Sequence, residues 1–467
     1  MTAFFLLMKQ ELLVTLLLFI LLFIKLSGRP WPAGRLAGLV HILLAINLAA
    51  GFCWIRPGHL FGDMYQTSEL LAFEKNLLSL ATLLISLFSV SWLKHHRHAL
   101  EFYLLLLSTL LGMFLLLSSG NLLMFYLGLE LAGIPLAALA NFDLDRRRSS
   151  EAAMKYIFSS AFASGLLLFG ISLLYGSTGT LSLAELPGHL AATPLELFAF
   201  ILVFSGLGFK ISAVPFHLWT ADVYEGAPVV VTAYFSVVSK GSVVFFLLRV
   251  LYESFMPLQS HWYLLLSLVA VLTLLTGNLF AIRQQNLKRL LAFSSITQVG
   301  FILVGMSGQS PEGQASVLYF VLIYVFSNLA AFGVISLVSA ATGRETLEDY
   351  RGFYRTNPAL GWVLAIALFS LAGIPPTAGF FGKFFLLLAG VGKGHYLVIA
   401  IAALNMVISL YYYLRVVRAV FMESSLEPIG RVPVPWPARL SLALCTGGIL
   451  VTGLASGAYQ YLYSLVR

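Results

Sequence analysis

The chain has 467 residues, 59% of them hydrophobic and 10% charged. A soluble chain of this size carries roughly a quarter of its residues charged, so this one could not cover its own surface and the soluble classes are excluded. The net charge of +8 reads as loop topology in a membrane protein rather than as a nucleic-acid footprint. The two distant cysteines, Cys53 and Cys445, cannot form a Cys-rich metal or iron–sulfur framework.

Apolar runs of about 20 residues, enough to cross about 30 Å of hydrocarbon, alternate with charged or Gly/Pro-bearing loops. They predict an all-α polytopic membrane protein of about fourteen spans. In chain order these lie near 4–25, 36–55, 70–93, 100–118, 121–140, 152–175, 195–220, 229–252, 260–281, 287–306, 315–341, 359–390, 394–422 and 438–463. The first is a membrane helix rather than a signal peptide, because Lys25 and a second apolar run follow it without a small-x-small cleavage site.

Lysines and arginines divide unevenly between alternate loops. Eighteen follow odd-numbered spans, Arg29 among them, and five fall on the other side: Lys9, Arg56, Arg249, Lys393 and Arg467. The positive-inside bias therefore predicts odd loops in the cytoplasm of a bacterial-type inner membrane and both termini on the periplasmic side.

The remaining five lysines, Lys75, Lys155, Lys210, Lys240 and Lys383, fall inside apolar spans, as do Glu130 and Glu74. A charge at the bilayer centre costs about 2.5–3.5 kcal/mol on insertion scales, so such residues face a polar interior and mark ion or proton paths. Glu130 lies halfway along span five, where its bland alternative is a neutral acid bonded to a neighbouring helix. Beside a lysine, its carboxylate would hold or release that lysine's proton. Lys210 precedes Pro215 in span seven, and Lys383 follows Pro375 and Pro376 in span twelve. Proline removes a backbone donor and breaks the helix, and broken helices at membrane depth line hydrated cavities. Lys240, at the middle of span eight, has Ser236, Ser239 and Gly241 beside it, which suit close packing and a hydrated pocket. Lys155, one turn into span six, could snorkel to the surface. Lys75 needs a partner other than adjacent Glu74, since neighbours at i and i+1 do not face each other. His217 and Asp222 lack a third ligand, so a loop hydrogen-bond role is expected and no metal site.

The stretch around Gly382 and Lys383 lacks the first glycine and the final Ser/Thr of a phosphate-binding loop, since Thr377 and Phe384 stand there. Arg146 to Arg148 read as a topology anchor. No redox chemistry or nucleic-acid binding is legible in the chain.

The two breaks suggest a repeat. Residues 1–99 would form an N-terminal three-helix segment, 100–252 a first five-helix repeat with its half-channel, 260–422 a second, inverted one, and 423–467 the C-terminal helix. An odd number of helices per unit makes the copies inverted, as in transporters. Lys210 comes before its proline and Lys383 after, so the breaks match in kind but not in every side chain.

Four motifs carry a family resemblance: Gly128 to Leu131 (GLEL), Gly208 to Pro228 (GFKISAVPFHLWTADVYEGAP), Asn286 to Gly300 (NLKRLLAFSSITQVG) and Gly373 to Lys383 (GIPPTAGFFGK). With them the chain resembles the antiporter-like membrane subunits of respiratory complex I, the proton-pumping NADH:quinone oxidoreductase, over nearly its whole length. It is most like the N-type, called subunit 2 in mitochondria. Lys383 favours that type over the M-type, which has a glutamate there, and no long lateral helix of the L-type follows span fourteen. Ala221 departs from the family's usual proline in Thr-Pro-Asp, which bears on loop geometry.

The resemblance implies that Glu130 modulates Lys210, that Lys240 is a central connector and that Lys383 exchanges protons with the outside. Lys155 and His217 are possible accessories. It also implies a non-redox subunit of a translocase. NADH, FMN, iron–sulfur clusters and quinone would belong to the parent complex, with an M-type and small K-, J-, A- and H-type subunits as partners. A cation/proton antiporter subunit of the multi-subunit type shares this ancestry and is the alternative; a purely structural membrane spacer is a third reading.

Overall fold

The computed structural model describes residues 2–28, 31–94, 96–391, 396–455 and 457–467. Arg29 and Lys393, two of the cations counted for orientation, lie outside them. The main helices are α1 (Lys9–Leu26), α2 (Ala33–Phe52), α3 (Glu69–Leu93), α4 (Ala99–Leu117), α5 (Leu122–Ala140), α6 (Arg147–Thr178) and α7 (Pro194–Ile211). After the first break come α8 (Leu218–Gly226), α9 (Val229–Tyr252), α10 (Gln259–Ile282), α11 (Leu287–Met306) and α12 (Pro311–Thr342). The chain finishes with α13 (Pro358–Ala372), α14 (Ala378–Val391), α15 (Tyr396–Met422), α16 (Trp436–Leu454) and α17 (Gly457–Val466).

Among the described residues, twelve helices are long and apolar enough to cross a membrane. The other two of the fourteen expected spans are α1, whose 18 residues include Lys9, Glu11 and Lys25, and the interrupted pair α13 and α14. Both breaks fall where proline puts them. α7 stops at Ile211, short of Pro215, and α13 stops at Ala372, short of Pro375, because proline disfavours helical geometry in the residue before it and cannot donate to the ladder. One element was not expected: the connection after α2 forms a two-stranded antiparallel hairpin, β1 (Gly58–Leu60) with β2 (Tyr65–Thr67). Its turn places Phe61, Gly62 and Asp63 at positive φ.

The chain divides into two compact units. The first comprises residues 1–86, 93–211 and 238–262. In it α4 and α5 touch backbone to backbone. A Cβ on Gly112 would stand 2.5 Å from the Ala132 nitrogen, and one on Gly128 would stand 2.6 Å from that of Leu116. Only glycine permits this approach, as is usual where membrane helices pack closely. α6 lies along α7 in the same unit, and its outer face shows Phe158, Phe162 and Phe169, all exposed. The second unit comprises residues 87–92, 212–237 and 263–467. Its centre is α12, buried over most of its length and packed against α13, α14, α16 and α17.

Candidate functional site

A buried lysine stands beside each of the two helix interruptions. In the first unit Lys210 occupies the last turn of α7, and its Nζ donates to Ser160 Oγ at 2.8 Å. Ser164, one turn further along α6, donates to Glu130 Oε1 at 2.5 Å. Successive hydroxyls of α6 thus hold the ammonium and the carboxylate. Tyr156, one turn before Ser160, puts its ring 5.7 Å from the Lys210 Nζ. Gly133, a turn after Glu130 on α5, leaves room for the amine: a Cβ there would stand 3.2 Å from Nζ. Met113, Gly133, Tyr156, Lys210, Ser239 and Ser242 line a small cavity. Leu116, Leu129, Ala132, Leu136 and Val243 complete its largely apolar wall; it has room for about one water molecule, for which Tyr156, Lys210 and the two serines are the side-chain partners.

Lys240 is buried and follows a π-helical turn, Phe235–Ser239, within α9. The serines around it were legible in the sequence, but the π turn was not. Such single-turn bulges are frequent at functional sites.

In the second unit Lys383 is fully buried on α14. Its Nζ donates to Leu371 O at 2.7 Å and Ala372 O at 3.2 Å, the last carbonyls of α13. The Phe301 ring lies 4.8 Å away. Gly373, at φ +86°, ends α13 in the left-handed region that favours glycine. The mismatch in lysine placement now has a physical reason. Lys210 sits inside the last turn of its half-helix, and Lys383 reaches back to the last turn of the one before it. The Lys383 ammonium therefore lies at a helix C-terminus, where the macrodipole favours a cation, whereas that of Lys210 is turned to Ser160 of α6.

A chain of polar groups extends from Lys383. Leu371 O also accepts from Gln298 Nε2 at 3.2 Å, and that amide donates to Tyr413 OH at 3.1 Å. Tyr413 OH in turn bonds Ser294. Tyr412 OH donates to Asn278 Oδ1 at 3.1 Å, and Asn278 Nδ2 to Asn405 Oδ1 at 2.9 Å. Elsewhere in this unit Tyr324 OH pairs with Ser236 Oγ at 2.7 Å, which also accepts from Asn328 Nδ2 at 3.1 Å. Residue types alone hid these groups, since tyrosines counted among the apolar residues of their spans. The available signal was Ser294 and Gln298 at i and i+4 on α11.

Two of the long sequence motifs meet here. Arg289, held at the start of α11 by the Asn286 cap, binds Asp222 at 2.6 Å and Glu225 at 2.9 Å on α8. Its neighbour Lys288 is buried and pairs with Glu345 at 3.0 Å. His217 precedes α8 half-buried, and Pro215, Pro375 and Pro376 are exposed at the breaks.

Other charges depart from the simple loop count. Arg249, assigned to a loop, is buried at the end of α9 and donates to Leu117 O and Ser119 O, each at 2.7 Å. Lys288 is likewise interior. Cations at helix ends can be drawn inward when carbonyls or a carboxylate meet them. Lys75 has a partner in Glu11, 2.6 Å away, and both are almost fully buried; Glu74 is buried too. Lys155 is part-exposed and pairs with Glu151 at 2.8 Å on its own helix. Among the described residues, no three His, Cys, Asp or Glu side chains are grouped to hold a metal ion.

Lone ammonium groups seated at interrupted membrane helices, with hydroxyls, amides and a carboxylate around them, define a membrane protein of the ion-translocating class. Residues 119–409 match the family described as NADH:quinone oxidoreductase/Mrp antiporter, TM. The chain is 47% identical to the NADH-quinone oxidoreductase subunit N of Phocaeicola vulgatus, across 96% of this chain and 95% of that one. It superposes on a chain of respiratory complex I from Thermus thermophilus with a TM-score of 0.83 at 32% identity, covering 96% and 97% of the two chains. A chain of the Mrp complex from a Dietzia species shares the fold, with a TM-score of 0.85 at 23% identity and 97% coverage of each. The chain belongs to the NADH:quinone oxidoreductase/Mrp antiporter transmembrane family.

Proposed function

We propose that this chain is the N-type, proton-translocating membrane subunit of an NADH:quinone oxidoreductase. It would contribute no redox centre of its own. NADH, FMN, iron–sulfur clusters and quinone would act in the other subunits of the complex, with M-, K-, J-, A- and H-type subunits as its membrane neighbours. The odd-numbered loops would face the cytoplasm of a bacterial inner membrane.

In this reading Lys210 and Lys383 are the groups that bind and release protons. Desolvation favours a neutral amine and a nearby carboxylate favours an ammonium, so changing one charge moves a proton on or off. Glu130 is the charge that acts on Lys210, and Lys240 passes the disturbance onward. Moving one charge through 100 mV requires about 2.3 kcal/mol, comparable to a pKa change of about two units at one lysine.

The observation that carries the proposal is the pairing of Ser164 with Glu130 and of Ser160 with Lys210. It sets the acid of α5 and the base of α7 against one stripe of α6, with a small cavity beside Lys210. The test is Lys210→Ala in the assembled complex, with proton pumping compared against electron transfer. Pumping at the wild-type ratio would defeat the assignment. The shared family with Mrp antiporters supports a second reading, a cation/proton antiporter subunit. That reading requires sodium-dependent proton exchange in vesicles without NADH, and flavin and iron–sulfur subunits in the purified particle would exclude it.

A further inference from the structure

A groove in the second unit is unaccounted for by proton transfer. It runs between the start of α13, the connection before α16 and the first two turns of α16, with a volume of about 690 Å³. That is the size of a ligand pocket. Its floor is built by Asn357, buried at the head of α13, which donates to Gly430 O at 3.0 Å and accepts from the Val432 N–H at 2.8 Å. These two bonds pin the connection against α13 and hold the groove open. Leu360, Val363 and Leu442 make its apolar lining, and Arg431 and Arg439 stand on its rim.

The rim arginines differ from Arg344, Arg351 and Arg418 in their partners. Arg344 is matched to Glu427, Arg351 to Glu348 and Glu423, and Arg418 to Glu423. Those glutamates are used by other arginines, and among the described residues neither Arg431 nor Arg439 has an ion-pair partner. Depth follows from the tryptophans. Trp436 opens α16 and Trp362 lies a turn into α13, both exposed, and indoles at span ends mark the headgroup level of a bilayer. The groove therefore has a cationic rim at the membrane surface and an aliphatic wall below it. A free anion would use only the rim, and an apolar chain only the wall.

We propose that the groove holds one anionic phospholipid, with its phosphate between Arg431 and Arg439 and an acyl chain along Leu360, Val363 and Leu442. Basic pockets between spans are where such headgroups bind, and the N-terminal N–H groups of α13 add donors on the same side.

The test uses the intact membrane complex containing this chain, in phosphatidylcholine nanodiscs with a trace of phosphatidylglycerol carrying a photoactivatable acyl chain. Labelling is expected on peptides covering 356–363 and 431–443, and excess phosphatidylglycerol should compete where phosphatidylcholine does not. Arg431→Gln with Arg439→Gln should cut labelling there roughly 30-fold, and each alone about fivefold, from the attraction of single basic side chains to anionic lipid. Labelling elsewhere on the chain should persist. If the double glutamine variant fails to assemble, the competition in the unmodified complex still decides, and Arg431→Lys with Arg439→Lys should keep most of the labelling. Equal labelling by a phosphatidylcholine probe, unchanged labelling in the glutamine variant, or no labelling because another subunit fills the groove would each overturn the proposal.

Discussion

The Lys383 ammonium closes the carbonyl end of the half-helix before the second break, donating to Leu371 O at 2.7 Å. The side chain is therefore both the candidate proton carrier of its unit and a cap on α13. Replacing it should expose both roles. In Lys383→Met the Leu371 carbonyl keeps its bond from Gln298, but the buried Ala372 carbonyl loses its donor, a loss of about 1–3 kcal/mol. Lys383→Glu should be worse, because its oxygens would meet the two carbonyls with no hydrogen to share unless the acid is protonated. The expected order of thermal midpoints for the purified complex is wild type, then Met, then Glu. A glutamate variant as stable as wild type would remove the capping argument.

Glu130 can be separated from its hydrogen bond. In Glu130→Gln the amide oxygen still accepts from Ser164, while the negative charge disappears. Assembly should stay near wild type and proton pumping per electron transferred should fall several-fold, in line with the 1.36 kcal/mol that accompanies each pKa unit. Ser164→Ala should have the opposite profile, losing about 1.5–3 kcal/mol of stability for one hydrogen bond to a charged group with pumping largely kept. Equal pumping in Glu130→Gln and wild type would show that the charge does not act on Lys210.

These two sites differ in how far they could be read from the sequence. Lys210, Lys240, Lys383 and Glu130 stand out because a charge in an apolar run is costly wherever it packs, and proline marks a break through covalent geometry alone. Partners are another matter. Glu11 pairs with Lys75 across 64 positions of sequence, and nothing in either local run announces the other. Arg249 was given to a loop because it lies near the end of its span, and only the carbonyls of Leu117 and Ser119 explain its burial. The Gln298 and Tyr413 bond joins α11 to α15, and a hydroxyl at the tip of an aromatic ring contributes little to hydropathy. The π turn before Lys240 depends on which carbonyl each N–H selects, a choice that residue types do not encode.

Arg289 ties α8 to α11 through Asp222 and Glu225. All three side chains are about one-third exposed, so each pair is worth at most about 1 kcal/mol. Arg289→Ala should lower the thermal midpoint modestly, and Arg289→Lys should recover only part of it, since a point charge cannot reproduce the guanidinium's several directed donors. The double variant Asp222→Asn with Glu225→Gln should lose about as much as Arg289→Ala. A loss several times larger in the acid double variant would mean that those carboxylates serve a second partner.

The pair between Lys75 and Glu11 gives the sharpest contrast between single and double substitution. Both side chains are nearly free of solvent and lie 2.6 Å apart, with Tyr65 OH accepting from Lys75 at 3.1 Å. Removing one partner strands the other. Lys75→Met leaves a carboxylate without its cation, and Glu11→Leu leaves an ammonium without its anion, each destabilising by about 3–5 kcal/mol. Removing both charges strands neither, so Lys75→Met combined with Glu11→Leu should recover most of that loss, since apolar replacements of a buried pair are often neutral. The measurement is the level of intact complex and its thermal midpoint in the four variants of a double-mutant cycle. Coupling near zero, with the double variant as damaged as the sum of the singles, would mean that the two charges act separately. In that case Lys75 would join Lys210 and Lys383 as a lysine whose proton, rather than whose partner, explains its place in the membrane.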